Sequence, residues 1–176
     1  IWETRGFVPF SNRIGMDYPN FAAEVGALLM EGYLDQAASV TATGTGSTQP
    51  FGILTAIDAT AASEVTPGTD GALNPTDIGR VWSALPAKFR DSATWIMSAD
   101  VAEEIAGFGT SDNFAFQTSR LGDAVTQTLR GRPVKYSDYF PSFTGSTGAA
   151  NLLIVGDFRS EEPRLNSSHL VISYAV

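Results

Sequence analysis

The sequence predicts an α+β fold in which one long helix precedes a region of shorter helices and strands. From Phe21 to Tyr33 the large apolar residues recur at intervals of three and four, which is the spacing of a helix. Later apolar runs, such as Trp95-Ile96-Met97 and residues 152–155, have the length of buried strands. Strands and helices do not alternate strictly, so α+β is favoured over a doubly wound α/β fold.

The first half of the chain is predicted to hold an extended segment, the long helix and a loop. Residues 7–11 are expected to be extended, with Pro9 indicating a strand end or edge. Asp17 can cap a helix over residues 17–39, about 35 Å long at the usual rise. The loop GTGSTQPFGIL follows at residues 44–54, and residues 58–75 are expected to form an irregular connection.

The second half is predicted to contain two further helices and several strands. Asn74 and Pro75 begin a helix that Pro86 interrupts, and Ser98 caps another that contains Glu103 and Glu104. The remaining pattern predicts strands at residues 94–97, 152–155 and 169–176, and a turn into a strand over residues 131–136.

Composition and charge exclude several classes of protein. The 176 residues favour one domain or one body with an extension, and a hydrophobic content of 43% is enough for a core. Cysteine is absent, which excludes disulfides and fits assembly in a reducing compartment. Neither a leader nor an apolar run of about 20 residues is visible, so we expect a soluble protein with no membrane partner. A net charge of -8 with scattered bases disfavours specific nucleic-acid binding and leaves only non-specific contact with DNA.

The sequence lacks the patterns of common catalytic and cofactor sites. In the glycine loop, residues 44–54, Gln49 occupies the position at which a dinucleotide-binding fingerprint requires its third glycine. The loop also lacks the Gly-Lys-Ser/Thr ending that a P-loop requires. The lone histidine, His169, cannot make an ordinary zinc site, and no nucleophile elbow accompanies it. The pairs Glu103-Glu104 and Glu161-Glu162 are typical of a solvated face. We therefore expect no cofactor, no metal and no enzymatic activity.

Five segments, in order, resemble the major capsid proteins of tailed phages, which have the Hong Kong 97-type coat fold. Each segment is short, and together they extend over residues 8–158. They are Val8-Pro9-Phe10-Ser11 with the helix that follows it; Gly44, Gly46, Gln49, Pro50, Gly52, Ile53 and Leu54; Ala84-Leu85-Pro86, Arg90, Ala93 and Trp95-Ile96-Met97; Gly131, Pro133 and Val134; and Gly156-Asp157-Phe158.

The resemblance implies how the chain is organised. Residues 1–50 would form the strand and spine helix of a peripheral domain, residues 51–159 a mixed α/β axial domain, and residues 160–176 a C-terminal segment. The loop would route the chain from one domain to the other. Its structural residues are then Gly44, Gly46, Gln49, Pro50 and Gly52, where glycine permits tight turns and Pro50 stiffens the backbone.

The resemblance also implies function and partners. The protein would be a structural coat protein that self-assembles, as hexamers and pentamers, into the icosahedral shell around phage double-stranded DNA. It would be a virion component assembled in the host cytoplasm, with scaffolding, portal or decoration proteins as further partners. In the spine helix, Phe21, Val25, Leu28 and Leu29 would pack against the sheet. Candidate subunit contacts are Arg13, Glu24, Glu31, Arg120, Arg130 and Arg132.

Two alternatives remain open. An encapsulin-like shell around cargo protein would have the same fold, and a small-molecule binding domain is the third class.

Family members carry an N-terminal arm and a long extended loop before the first matching strand, and this chain begins almost at that strand. After the Gly-Asp-Phe segment they usually continue with more strands than residues 160–176 provide.

Overall fold

Local sequence signals account for most of the helices and strands in the computed structural model of the chain. The structure describes residues 4–11, 13–14, 20–69, 71–108, 116–121, 124–143, 151–158 and 172–175. The chain divides into two compact units, Ile1–Thr55 and Ala56–Val176.

The first unit contains a long helix, α1, over Phe21–Thr43. It continues four residues past the predicted end, into Val40 and two threonines that have low helix propensity. The hydroxyl groups of Thr41 and Thr43 donate to main-chain carbonyls four residues earlier, at 2.7 and 3.1 Å. The predicted end at residue 39 was wrong, and the two hydroxyl groups are bonded within the helix and do not compete with its backbone bonds. The predicted start at residues 17–19 lies outside the described residues.

A short helix, α2 (Ile53–Asp58), leads from the first unit into the second. There the chain forms a 3-10 turn (Ala61–Ser63) and strand β1 (Glu64–Val65), then helices α3 (Pro75–Ala84) and α4 (Ala87–Arg90). Pro86 separates α3 from α4, as predicted, because a proline lacks the amide that would continue the helix. Ser98 caps helix α5 (Ala99–Ala106) by accepting from the amide of Val101.

The remaining strands are β2 (Thr94–Met97), β3 (Phe116–Leu121), β4 (Ala124–Leu129), β5 (Arg132–Tyr136), β6 (Asn151–Gly156) and β7 (Ile172–Ala175). With β1 they form one mixed sheet in the order β1-β7-β6-β2-β5-β4-β3. β2 is parallel to β5, with Met97 opposite Tyr136, and antiparallel to β6, with Thr94 opposite Gly156. β2, β5 and β6 were predicted, and the hairpin of β3 and β4 was not.

The core of the second unit lies between this sheet and the helices α3 and α5. β6 is buried along its whole length, while β2 buries alternate residues, with Trp95 and Met97 fully enclosed. Trp95 stacks on Trp82 of α3, with ring centroids 5.9 Å apart, and its indole N–H donates to the carbonyl of Leu129 at 3.0 Å. The polar atom of the largest buried side chain is therefore satisfied.

Candidate assembly surfaces

The glycine loop, residues 44–54, is closed at its base by main-chain contacts. The amide of Gly52 donates to the carbonyl of Gly44 at 2.8 Å, and Thr45 forms an antiparallel bridge with Phe51. The amide of Gly44 in turn donates to the carbonyl of Val40 at 2.9 Å. The two ends of the loop are thus bonded to each other and to the last turn of α1.

Three glycines of this loop occupy positions that other residues fit poorly. Gly46 has φ of 76°, in the left-handed region. A Cβ on Gly44 would stand 2.1 Å from the carbonyl oxygen of Pro50, and one on Gly52 would stand 2.3 Å from the nitrogen of Gly44. Gly44 and Gly52 are therefore required for close backbone approach, and Gly46 for its dihedral angle. Within the same loop Gln49 is half-buried and Pro50 is exposed.

The helix α1 exposes apolar side chains on nearly every face. Its only buried residue is Ala42, and Leu28, Met30 and Leu34 are 59%, 58% and 59% exposed. Leu29 is 38% exposed as well, so neither Leu28 nor Leu29 is buried as the prediction required. Phe21 and Val25, predicted with them, are half-buried. Glu24 and Glu31 are exposed, and their contact with a neighbouring subunit stays a prediction.

The extended segment before α1 is also apolar and exposed. Phe7 is 89% exposed and Phe10 56%, although the Phe10 ring lies 4.7 Å from that of Phe21. Of the large hydrophobic side chains that the structure describes as exposed, all but Tyr136 belong to the first unit. A concentration of exposed apolar side chains in one unit is typical of a protein interaction site.

The candidate arginines have different environments. Arg132 donates to the main-chain carbonyl of Asp91 and forms an ion pair with its carboxylate at 3.1 Å, so part of its bonding capacity is used within its own unit. Arg13 is exposed, and for Arg120 the structure describes only the backbone of β3. Their contact with a neighbouring subunit stays a prediction.

Arg130 has an unusual backbone. It precedes Gly131 in the turn between β4 and β5, with φ of 52° and 73° at the two positions. Such a turn favours asparagine and glycine, and the left-handed conformation costs an arginine about 1 kcal/mol. Partial burial, followed by repulsion from the nearby Arg90, lowers the pKa of the Arg130 guanidinium. Burial and Arg90 thus disfavour the charged form of a side chain whose backbone is already in an uncommon conformation.

Arg80, which sequence reasoning missed, lines an open groove of about 880 Å³ together with Arg130. Asp77 lies beneath it, 1% exposed, and accepts from the amides of Gly68 and Asn74 at 2.9 and 3.2 Å. The Arg80 guanidinium lies 3.6 Å from Asp77 and is half exposed. The spacing of Asp77 and Arg80, three residues apart on a predicted helix, was the available signal.

Candidates for other chemistry do not gather into a site. Glu103 and Glu104 are exposed on α5, and His169 and the pair Glu161-Glu162 lie outside the described residues. In the part of the chain that the structure describes, no group of three or more His, Cys, Asp or Glu residues is arranged to hold a metal ion. Among the described helices, none is both long and apolar enough to cross a membrane.

Comparison with known proteins gives matches by family and by fold. The model of the phage capsid family matches residues 2–162. Among curated proteins, none matches the chain significantly.

Three solved structures have a similar fold. The capsid of a native GTA particle matches with a TM-score of 0.67 and 19% identity, over 94% of this chain and 65% of that one. The capsid of an empty GTA particle gives 0.65 and 18%, over 89% and 68%. The holo-SrpI encapsulin complex from Synechococcus elongatus PCC 7942 gives 0.60 and 20%, over 88% and 51%. The chain therefore spans about two thirds of the GTA capsid chains, and the predicted α+β fold of the Hong Kong 97 type is confirmed.

Proposed function

The chain belongs to the phage capsid family, and from that premise we propose that it is a coat protein that self-assembles into an icosahedral, DNA-containing shell. Members of this family are structural proteins and not enzymes. The proposed building blocks are hexamers and pentamers, and the proposed location is the virion, after assembly in the host cytoplasm. Scaffolding, portal and decoration proteins are proposed as further partners.

One observation supports self-assembly most directly: apolar side chains are exposed throughout the first unit. Leu28 and Leu34 are both 59% exposed on the same helix, and Phe7 is 89% exposed just before it. Covering the exposed part of one such leucine contributes about 1 kcal/mol. A shell repeats this gain at every subunit contact, so many weak contacts suffice.

In this proposal residues 1–50 belong to the peripheral domain, residues 51–159 to the axial domain, and residues 160–176 to a C-terminal segment. The glycine loop then connects two parts of the chain: the helix α1, which presents apolar side chains to neighbouring subunits, and the α+β unit. The structural residues of the loop are Gly44, Gly46, Gln49, Pro50 and Gly52. The arginines Arg13, Arg120, Arg130 and Arg132, with Glu24 and Glu31, are proposed as polar contacts at the subunit boundaries. Single exposed ion pairs contribute about 0–1 kcal/mol, so none alone decides assembly.

A net charge of -8 fits a shell that encloses DNA without binding it tightly. Each phosphate contact requires a positive side chain, and the chain has 11 Lys and Arg against 19 Asp and Glu. Contact with packaged DNA is therefore proposed to be weak and independent of base sequence.

The test is electron microscopy of the purified protein, combined with nuclease treatment and analysis of the contents. Closed shells that protect double-stranded DNA would support the proposal. A chain that stays monomeric at high protein concentration, with or without other virion proteins, would contradict it. The similarity to an encapsulin structure supports one alternative, a shell around cargo protein, for which the same preparation would yield shells with protein and without DNA.

A further inference from the structure

The sheet of the second unit ends at two very different edge strands. β1, at one end of the strand order, has two residues, and β3, at the other end, has six. All six residues of β3 pair with β4 on one side, without a shift in register. Among the residues that the structure describes, no strand pairs with the other side of β3. The longer of the two edges is therefore open in the described part of the chain.

β3 lacks most of the devices by which proteins protect an open edge. Edge strands are usually very short, bulged, or supplied with proline or lysine, which keeps other strands from pairing with them. The sequence of β3, Phe-Gln-Thr-Ser-Arg-Leu, contains neither proline nor lysine, and its only charged residue is Arg120. β1, at the opposite edge, is protected by its length of two residues. This contrast favours a role for the β3 edge in binding.

The pairing with β4 determines which main-chain groups of β3 point outward. Two residues separate Leu121 from its partner Ala124, and the pair that flanks so short a connection exchanges both of its main-chain hydrogen bonds. Such bonded pairs alternate along an antiparallel ladder, so every second residue of β3, counted back from Leu121, bonds to β4. The remaining amides and carbonyls point away from β4, and they belong to Phe116, Thr118 and Arg120.

These three residues also share one face of the sheet, because side chains alternate along a strand. Arg120 lies at one end of the row and Phe116 at the other, four residues or about 13 Å away. A strand added to this edge would place one residue opposite Arg120 and another, four positions along, opposite Phe116. The edge therefore specifies a spacing as well as a set of hydrogen bonds.

The chain is basic around this edge although it is acidic as a whole. Residues 116–136, which contain β3, β4 and β5, hold four of the 11 basic residues and one of the 19 acidic residues. The bases are Arg120, Arg130, Arg132 and Lys135, and the acid is Asp123. Arg132 pairs with Asp91, and the region stays basic when that pair is counted. An acidic segment is thus the electrostatic complement of this part of the chain.

We propose that the outer edge of β3 binds an extended acidic segment of another protein, which adds to the seven-stranded sheet as an eighth strand. Main-chain hydrogen bonds supply the affinity in this mode of binding, and the side-chain pairs set the register. The segment has an acidic residue opposite Arg120 and an apolar residue opposite Phe116, because opposite charges and apolar pairs stabilise directly paired positions. The β3 edge of a second copy carries the same positive charge and is a poorer match. The inference goes beyond the proposed coat function, since it stands on the sheet edge alone.

The test uses the purified full chain and a synthetic acidic peptide as the probe. The peptide contains Glu-Thr-Val-Thr-Ile, so that in antiparallel pairing its glutamate lies opposite Arg120 and its isoleucine opposite Phe116. Fluorescence anisotropy of the labelled peptide should show saturable binding. Methylation of the main-chain nitrogen of the valine should weaken binding by about tenfold, because that nitrogen donates to β3. Methylation of a threonine nitrogen, which points away from β3, is the matched control and should change the affinity much less.

Two variants at one position separate the main chain of β3 from its side chains. Thr118→Pro removes an outward amide and leaves the bonds to β4 in place, so affinity for the peptide should fall by about tenfold. Thr118→Val keeps the amide and should bind within about twofold of the original chain. Arg120→Glu should weaken binding of the acidic peptide and strengthen binding of a peptide with lysine in place of glutamate, each by about three- to tenfold. Circular dichroism should show all three variants folded.

The outcomes distinguish the possible occupants of the edge. If Thr118→Pro does not fold, the two methylated peptides decide the question on the original chain. An original chain that does not bind the peptide, or binds the valine-methylated form equally well, would overturn the inference. Self-association that Thr118→Pro abolishes, without peptide binding, would overturn it in favour of a second copy. Duplex DNA that binds instead of the peptide, and no longer binds Arg120→Glu, would overturn it in favour of nucleic acid.

Discussion

Replacing Gly52 with alanine is expected to open the base of the glycine loop and to destabilise the first unit. The new Cβ would lie 2.3 Å from the nitrogen of Gly44, 2.8 Å from the carbonyl oxygen of Ala42 and 2.8 Å from the carbonyl carbon of Thr43. All three are backbone atoms at the end of α1 or next to it, so no side-chain rotation can relieve the clash. The two chain segments must separate.

The expected magnitude follows from two effects. Forcing an extra methyl group into a packed position costs about 1–3 kcal/mol. Separation also breaks the hydrogen bond of 2.8 Å that the amide of Gly52 donates to the carbonyl of Gly44. Loss of such a bond costs about 0.5–1.5 kcal/mol. Together they predict that the free energy of unfolding falls by about 2–4 kcal/mol.

The assay is chemical denaturation followed by circular dichroism, together with limited proteolysis of residues 44–54. Gly26→Ala and Gly32→Ala are matched controls in α1, because a Cβ at either position meets no atom within 4 Å. Each control should raise stability by about 0.5–1 kcal/mol, since alanine favours the helix. A Gly52→Ala protein as stable and as protease-resistant as these controls would refute the argument from close approach.

Three further predictions concern the second unit. Asp77→Asn should lower the free energy of unfolding by about 1–3 kcal/mol, because a buried carboxylate that binds two amides and an arginine loses its charge. Asp91→Asn is the matched control: its side chain is 97% exposed, so the free energy of unfolding should change by less than about 1 kcal/mol. Trp95→Phe should cost about 1–3 kcal/mol in the same assay, since it leaves a buried carbonyl of β4 without its donor. The hydroxyl of Tyr136, followed by ultraviolet absorbance against a Tyr136→Phe reference, should ionise above pH 10, and Glu103→Gln should lower its pKa by removing the second cause of the shift. Because the folded pKa is raised, the unfolded chain loses this proton first, and stability should fall as pH rises above 10. An unchanged pKa in Glu103→Gln would contradict the placement of Glu103 beside Tyr136.

The elements that sequence reasoning found have local signals. α3 begins at a proline after Asn74, α5 is capped by Ser98, and β6 is a run of apolar residues. Such signals act within a few residues, so they can be read without the tertiary structure. The hairpin of β3 and β4 was missed because many of its residues are small or polar and neither segment is a run of apolar residues. Pairing of β4 with β5 supports it in the folded chain.

The candidate site was only partly predictable for a related reason. Glycines at 44, 46 and 52 indicated a turning loop, and the structure gives them two different requirements, a positive φ at Gly46 and close approach at the others. A sequence cannot distinguish these, since both appear as glycine. Leu28 and Leu29 were assigned to a core because helical spacing shows which residues share a face and does not show what that face meets.

The sequence by itself determined the class of fold, the family resemblance, the acidic balance and the absence of cysteine chemistry, because these depend on composition and on residues close together along the chain. Tertiary structure decided which charges share a surface. Arg80 and Arg130 line one groove although 50 residues separate them, and the acids of α5 lie at the opposite end of the sheet because β2 pairs in parallel with β5. Parallel pairing joins segments that are distant along the chain. Its register depends on the packed core around Trp95 and Met97, and the residues of that core come from several separate segments of the sequence.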